Sequence, residues 1–304
     1  MIEKLDVIGL GLANTDMVTR FDAGNSVLQN IPYAKGEHMP LSPEEFAVLR
    51  SSVKEYQLFP GGSVANSIRN LAALGHNVGF CGAIGDDGIG RSFADNLKGL
   101  GAQPFMQIAP NTDSRICMIM VHEDGERTMF GIKDLLYEID ESQVKLLPQA
   151  EYIMVEGNIV SKSPCLLKAI INTGSKIILT LSGMDRSSIE QSWLRKTLLC
   201  VDVLFCNKFE YESMDFKTRK IIPDICVKTL GGYGCEVYEK HKWQSYGARP
   251  VKQSDIANAT GAGDAFASGF ISALLKKHEL DKRVAAGNKM AARVMKSEWS
   301  YISR

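Results

Sequence analysis

Seven short runs of largely apolar, β-forming residues recur along the chain with helical patterns between them. That alternation limits the possible folds more than any other feature. The runs fall at 6–8, 77–84, 116–121, 152–155, 177–181, 201–206 and 225–230, several nearly continuous in apolar residues and bounded by Gly, Asp or Asn. Such runs are the mark of strands buried on both faces. Between them, apolar residues return at helical spacing: Val64, Ile68, Leu71 and Ala72 share one stripe, Ile89, Phe93, Leu97 and Leu100 a second, and Phe266, Phe270 and Leu274 a third. Strands that alternate with helices build parallel βαβ units. The chain is therefore expected to be an α/β protein in three layers, a mostly parallel central sheet flanked by helices. No internal repeat or low-complexity linker divides it, so residues 1–304 read as one domain.

Two stretches interrupt the alternation. Residues 16–40 carry no helix-length pattern and are punctuated by Gly24, Pro32, Gly36 and Pro40. Residues 112–132 read as strand, turn, strand, with Asp124-Gly125 as the hairpin signal. Inserted strands of this kind are expected to form a small β lid at the edge of the main sheet.

Composition narrows the partners. Thirty-five Lys and Arg against 35 Asp and Glu leave no net charge, which argues against nucleic acid or an anionic membrane as the main partner. No apolar run approaches the ~20 residues of a membrane-spanning helix, and Met1-Ile2-Glu3-Lys4-Leu5-Asp6 lacks the basic lead and apolar core of a signal peptide. The seven cysteines form no CxxC pair and the five histidines show no metal-ligand spacing. Reduced core cysteines and a cytoplasmic location are the expectation.

Glycine placement points to three candidate sites. Gly9-Leu10-Gly11-Leu12-Ala13-Asn14 follows the first strand, but the third glycine and the downstream acidic partner of a dinucleotide fingerprint are missing, which counts against an NAD-dependent oxidoreductase. Asn14 and Asp16 lie beyond that strand's carboxyl end, where an amide and a carboxylate suit a polyhydroxyl ligand, although turn and cap chemistry is the better explanation of the two taken alone. Gly61-Gly62-Ser63-Val64-Ala65-Asn66 opens a helix. Its glycines admit a ligand to the backbone and Asn66 can hydrogen-bond it, while a Ser63 cap is the simpler alternative. The third segment, Asn258-Ala259-Thr260-Gly261-Ala262-Gly263-Asp264, places small residues before a long amphipathic helix. The amides of Gly261, Ala262 and Gly263 then form an anion site. A carboxylate beside an anion needs its own task, and accepting a proton from a hydroxyl that attacks a phosphate is one. A first-turn dipole partner would not need so many small neighbours.

These segments, in this order, resemble the PfkB (ribokinase) family of carbohydrate and nucleoside kinases. Gly61-Gly62 with Asn66 is similar to the first family signature and Thr260 to Asp264 to the second. Asn207-Lys208-Phe209-Glu210 resembles the NxxE motif, which implies that Asn207 and Glu210 organise Mg²⁺, largely through water, and the ATP phosphates. Thr229-Leu230-Gly231-Gly232-Tyr233-Gly234 resembles the TLGxxG segment, which implies that Thr229, Gly231 and Gly234 border ATP. Gly125-Glu126-Arg127-Thr128 resembles the GERT turn of the lid, which implies that Arg127 approaches phosphates. The stretches from Lys35 to Leu41 and from Ala150 to Gly157 are similar to the adenosine-kinase-like branch. The resemblance implies a ribokinase-like fold and an ATP-dependent kinase that phosphorylates a primary hydroxyl of a sugar or nucleoside, with adenosine among the candidates. Asp264 is then the base, while Asn14, Asp16, Gly61, Gly62 and Asn66 hold a ribose-like acceptor.

Two features depart from the family pattern. Asn258 stands where Asp is usual, which leaves monovalent-cation activation open, and only residues 211–223 separate Glu210 from Asp224. These departures motivate the alternative of a degenerate kinase that binds without turnover. Tyr56, Phe59 and Phe130 are candidate walls for a nucleoside base, each equally a core residue. The state of assembly is expected to be a monomer or a lid-mediated homodimer.

Overall fold

The computed structural model describes residues 4–124, 126–132, 139–182, 184, 190–257, 259–297 and 299–302. Gly125 of the expected hairpin turn and Asn258 lie outside these residues. In chain order the first elements are β1 (Leu5–Leu10), β2 (Asn14–Arg20), β3 (His38–Leu41), α1 (Pro43–Ser52), β4 (Gln57–Pro60), α2 (Ser63–Ala73), β5 (Val78–Gly85) and α3 (Gly88–Gly99). Next come β6 (Gln103–Ala109), β7 (Arg115–Val121), β8 (Arg127–Ile132), α4 (Glu141–Leu146), β9 (Ala150–Glu156), α5 (Gly157–Lys162), α6 (Pro164–Ile171) and β10 (Lys176–Thr180). The last are α7 (Gln191–Leu198), β11 (Val203–Asn207), α8 (Lys208–Glu212), β12 (Ile225–Thr229), β13 (Cys235–Glu239), β14 (Lys242–Tyr246), α9 (Ala262–Leu275) and α10 (Leu280–Val294).

The chain adopts the three-layer α/β arrangement with a large, mostly parallel sheet. Nine strands run in the order β14-β13-β12-β11-β10-β9-β1-β5-β6. All neighbours from β12 to β6 are parallel, and β13 and β14 add an antiparallel ribbon at one edge. Successive side chains of a strand point to opposite faces, and the buried residues divide accordingly. Val7, Tyr152, Met154 and Ile178 meet Val64, Ile68, Phe93 and Phe270 from α2, α3 and α9 on one face. Ile8, Ile153, Val155, Ile177 and Leu179 meet Val160, Leu166, Ile170 and Leu194 on the other. Both faces are apolar, so the strand sequences are near-continuous in apolar residues. The β13–β14 ribbon had no turn signal to betray it. Its two-residue turn places Lys240 and His241 at positive φ, where Asn or Gly would be the usual choice.

A second sheet of five strands, in the order β3-β8-β7-β2-β4, draws on more chain than the two expected insertions. Gln57–Pro60 pairs antiparallel with β2, and α1 lies between β3 and β4 in sequence. Helix α1 starts at a capping box in which Ser42 Oγ accepts from Glu45 N at 3.2 Å and the Glu45 carboxylate accepts from Ser42 N at 2.8 Å, with Pro43 at the first helical position. It buries Phe46 and Leu49 with Met17, Met118, Met120 and Phe130. Phe130 is thereby a core residue of the small sheet and not a wall of the cleft. No helix among the described residues is long and apolar enough to cross a membrane.

Phe46→Ala should destabilise the small sheet by roughly 3–5 kcal/mol, the usual cost of truncating a buried phenylalanine. Hydrogen exchange in 115–121 and 127–132 should accelerate while 150–156 and 176–180 keep their protection. Equal acceleration in the central strands would show that the small sheet does not open as a unit.

Candidate active site

The carboxyl end of β1, the start of α2 and the start of α9 converge on one cleft roofed by β2 of the small sheet. Asp264 is the meeting point. It sits in the first turn of α9, and Ser63 Oγ donates to its Oδ1 at 2.5 Å while Asn66 Nδ2 donates to Oδ2 at 3.2 Å. Ser67 Oγ donates to the Asp264 carbonyl at 3.2 Å and ties the two helices together. Burial raises the Asp264 pKa to about 6, with the bonds from Ser63 and Asn66 opposing the rise.

The glycine before the helix has a specific geometric task. Gly261 is left-handed at φ 78°, and a Cβ there would lie 2.6 Å from the Ser300 backbone oxygen and side chain. Only glycine fits both demands. Of the three expected anion-hole amides, Ala262 N–H donates to the Ala259 carbonyl at 3.3 Å, whereas Gly263 is exposed at the helix start.

Asp16 roofs the other end of the cleft. Its carboxylate lies on Gly61, where a Cβ would come within 2.5–2.6 Å of the carboxylate atoms, and it accepts from Asn14 Nδ2 at 2.6 Å. Burial pushes its pKa up to about 7. The charge of Arg69, the Asn14 bond and Arg127 oppose the rise, and Asp264 adds to it. Asn14, Asp16, Gly61, Gly62 and Asn66 therefore gather on one side of Asp264. Arg127 joins this side, half-buried on β8 with Asp16 as its electrostatic partner.

On the other side, a cavity of about 90 Å³ brings Asn207, Glu210, Thr229, Gly263 and Asp264 together. Asn207 and Glu210 form a capping box at the start of α8: Asn207 N donates to Glu210 Oε2 at 2.7 Å and Glu210 N to Asn207 Oδ1 at 2.8 Å. Burial raises the Glu210 pKa to about 7 and Asp264 adds to the rise. Gly231 and Gly234 sit in the β12–β13 turn at φ 59° and 103°, outside the lining of this cavity. Tyr233 between them is 89% exposed.

The sequence offers Ser63 as a possible helix cap and gives no sign that it is a hydrogen-bond donor to Asp264, nor that Glu156 faces the same cleft. The cap position is Gly62. Glu156 ends β9, is buried, and accepts from Val64 N at 3.1 Å. Burial raises its pKa to about 7, and Asp264 contributes to the rise. A strand-end carboxylate has no spacing signal, so only the parallel pairing of β9 with β1 reveals it. Among the described residues no three His, Cys, Asp or Glu cluster as a metal cage.

Comparison with known proteins bears on the family and the fold. The profile of the pfkB family carbohydrate kinases matches residues 39–303. An ATP-dependent ribose-1-phosphate kinase from Halopiger xanaduensis is 26% identical over 94% of this chain and 90% of its own length. A 5-dehydro-2-deoxygluconokinase from Clostridium botulinum is 24% identical over 81% of each chain. The adenosine kinase of Sinorhizobium meliloti shares the fold with a TM-score of 0.83 at 22% identity, covering 99% of this chain and 97% of its own.

The raised pKa of Asp264 has a thermodynamic consequence. The folded state holds the neutral acid more firmly than the unfolded chain, whose carboxyl ionises near 3.8. The stabilisation is thus complete below pH 3.8 and is lost as pH rises through about 6. Asp264→Asn, which is neutral throughout, should be more stable than the wild type at pH 8 by about 1–3 kcal/mol. The gap should close as pH falls towards 4. Parallel stability curves across this range, measured by denaturant titration, would refute the raised value.

Proposed function

The chain belongs to the pfkB family of carbohydrate kinases, phosphotransferases with an alcohol acceptor, and we propose that it transfers the γ-phosphate of ATP to a primary hydroxyl of a ribose-like sugar or nucleoside. The observation that carries this reading is the position of Asp264 between two differently equipped half-sites. Asp16, Asn14 and Asn66 lie on one side, and a cavity lined by Asn207, Glu210, Thr229 and Gly263 lies on the other.

Asp264 takes the proton of the attacking hydroxyl. A pKa of about 6 leaves it ionised at pH 7 yet close to neutrality, which favours proton transfer. Ser63 and Asn66 fix both carboxylate oxygens, so the base meets the hydroxyl in one orientation. The open helix start at Gly261 and Gly263, with the α9 dipole, stabilises charge on the group in transfer. Asp16, Asn14, Asn66 and the Gly61-Gly62 backbone hold the acceptor hydroxyls. Arg127 enters with the small sheet, which excludes water as a competing acceptor. Thr229, Gly231 and Gly234 border the nucleotide.

Glu210, Asn207 and Thr229 are hard oxygen donors opening on the cavity shared with Asp264, a donor set suited to Mg²⁺ held mostly through water. When bound with ATP, Mg²⁺ supplies charge neutralisation at the phosphates. The likeness to a ribose-1-phosphate kinase supports a pentose acceptor, free or phosphorylated, and the comparable likeness to a 5-dehydro-2-deoxygluconokinase keeps hexose-derived acids beside it. The covering of the small sheet's apolar side by Phe46 and Leu49 of α1 supports a monomer over a lid-mediated dimer.

The test is a panel of pentoses, pentose 1-phosphates, hexoses and nucleosides with Mg-ATP, read by ADP release. Turnover should concentrate in the ribose-like compounds, and no ADP with any acceptor would favour binding without turnover. Asp264→Asn should lower kcat by at least ~100-fold while ATP binding is retained, as loss of a general base typically costs ~10²–10⁴-fold. A near-normal kcat would remove Asp264 as the base. Glu210→Gln should raise the Mg²⁺ concentration needed for half-maximal rate, and an unchanged requirement would leave Glu210 with only its capping role.

A further inference from the structure

Arg69, on α2, is the largest fully buried side chain among the described residues. Its guanidinium lies between two rings, 4.7 Å from the centroid of Phe93 and 5.0 Å from that of Tyr301. Nε donates to Asn96 Oδ1 at 2.8 Å, and Nη1 donates to the Gly61 carbonyl at 3.0 Å and to Asn66 Oδ1 at 3.1 Å. All these acceptors are neutral amide oxygens, and Nη2 is buried with no partner among the described residues. A buried cation with such partners is expensive to hold. An apolar side chain of similar length would suit the space between Phe93 and Tyr301 at less cost. The location of its acceptors gives the reason for keeping it.

Asn66 has two unlike ends. A guanidinium only donates, so the end facing Arg69 must be Oδ1, and the Nδ2 end is forced towards the Asp264 carboxylate. The Asp264 carboxylate only accepts and selects the same orientation, so Arg69 is the second anchor that keeps the amide from swinging off it. The second acceptor, the Gly61 carbonyl, belongs to the backbone on which the Asp16 carboxylate rests. Both faces of the acceptor pocket thus hang from one side chain. The guanidinium is in turn held from the far end of the chain. Asn96 Nδ2 donates to Tyr301 Oη at 3.0 Å, Ile302 N donates to Asn70 Oδ1 at 2.9 Å, and Ser300 packs under Gly261.

We infer that Arg69, clamped by Tyr301, is a positioning residue for the acceptor pocket, setting the Asn66 amide and the Gly61 backbone in register with Asp264. The inference rests on the kinase reading. The nucleotide half-site at Asn207, Glu210 and Thr229 shares no hydrogen bond with Arg69, so the two substrates separate the effect.

The experiment compares Arg69→Met and Arg69→Lys with the wild type, using the best acceptor of the panel. In Arg69→Met the acceptor KM should rise at least ~10-fold and kcat should fall, with the ATP KM within about twofold. Arg69→Lys, which keeps a donor and the charge, should recover part of the loss. An unchanged acceptor KM in a folded Met variant overturns the inference, as does an equal rise in both KM values, the mark of general loosening. If circular dichroism shows Arg69→Met unfolded, Tyr301→Leu decides. That variant keeps the bonds to Gly61 and Asn66 but removes the ring, and the acceptor KM alone should rise by roughly threefold. No change there overturns the inference too. A wild type inactive with the whole panel instead defeats the kinase reading, and the inference falls with it.

Discussion

Everything in the cleft depends on the contact between the starts of α2 and α9. Asp264 accepts hydrogen bonds from Ser63 and Asn66, residues 201 and 198 positions away in sequence. Closing so long a span costs chain entropy, which burial of the sheet's apolar faces offsets. The helix pair then brings two anionic needs into conflict. A helix start favours negative charge, yet Asp264, Asp16, Glu156 and Glu210 share one region and each has its pKa raised, chiefly by burial. Asp264 raises the other three as well.

That electrostatic load explains which neighbours the site keeps. Arg69 and Arg127 both oppose the rise at Asp16, and Arg115 opposes it at Glu156. The cations come from α2 and from the small sheet, while the cavity beside Glu210 is lined by polar oxygens without a guanidinium. A carboxylate-rich cleft of this sort is a poor place for a resting protein to be stable and a good place for a proton acceptor. Local instability at a functional site is the common pattern.

Much of this was legible in the chain. Strands buried on both faces declared themselves at 152–155 and 177–181 because no polar residue was needed on either side, and α2, α3 and α9 declared themselves by apolar stripes. The glycines at 61, 62 and 261 marked close approach, and the structure supplies what approaches: the Asp16 carboxylate, the Leu12 carbonyl and Ser300. Strand β4 was not legible, and β2 and β3 were legible only as part of the inserted stretch 16–40, without bounds of their own. One side of their sheet packs on α1 and the other faces a polar cleft, so their runs are brief and mixed. The partners of Arg69 were hidden for another reason. Phe93, Asn96 and Tyr301 lie 24, 27 and 232 residues away, and nothing local distinguishes a buried arginine from an exposed one on an amphipathic helix.

Asp16 and Arg127 sit on two strands of one sheet, separated by a single strand. Asp16 lies on β2 and Arg127 on β8, and β7 lies between them, paired to both. The apolar side of the sheet is sealed by α1, so the carboxylate and the guanidinium are carried by one packed layer and not by loose strands. That shared support is why a cation distant in sequence can oppose the raised pKa of Asp16.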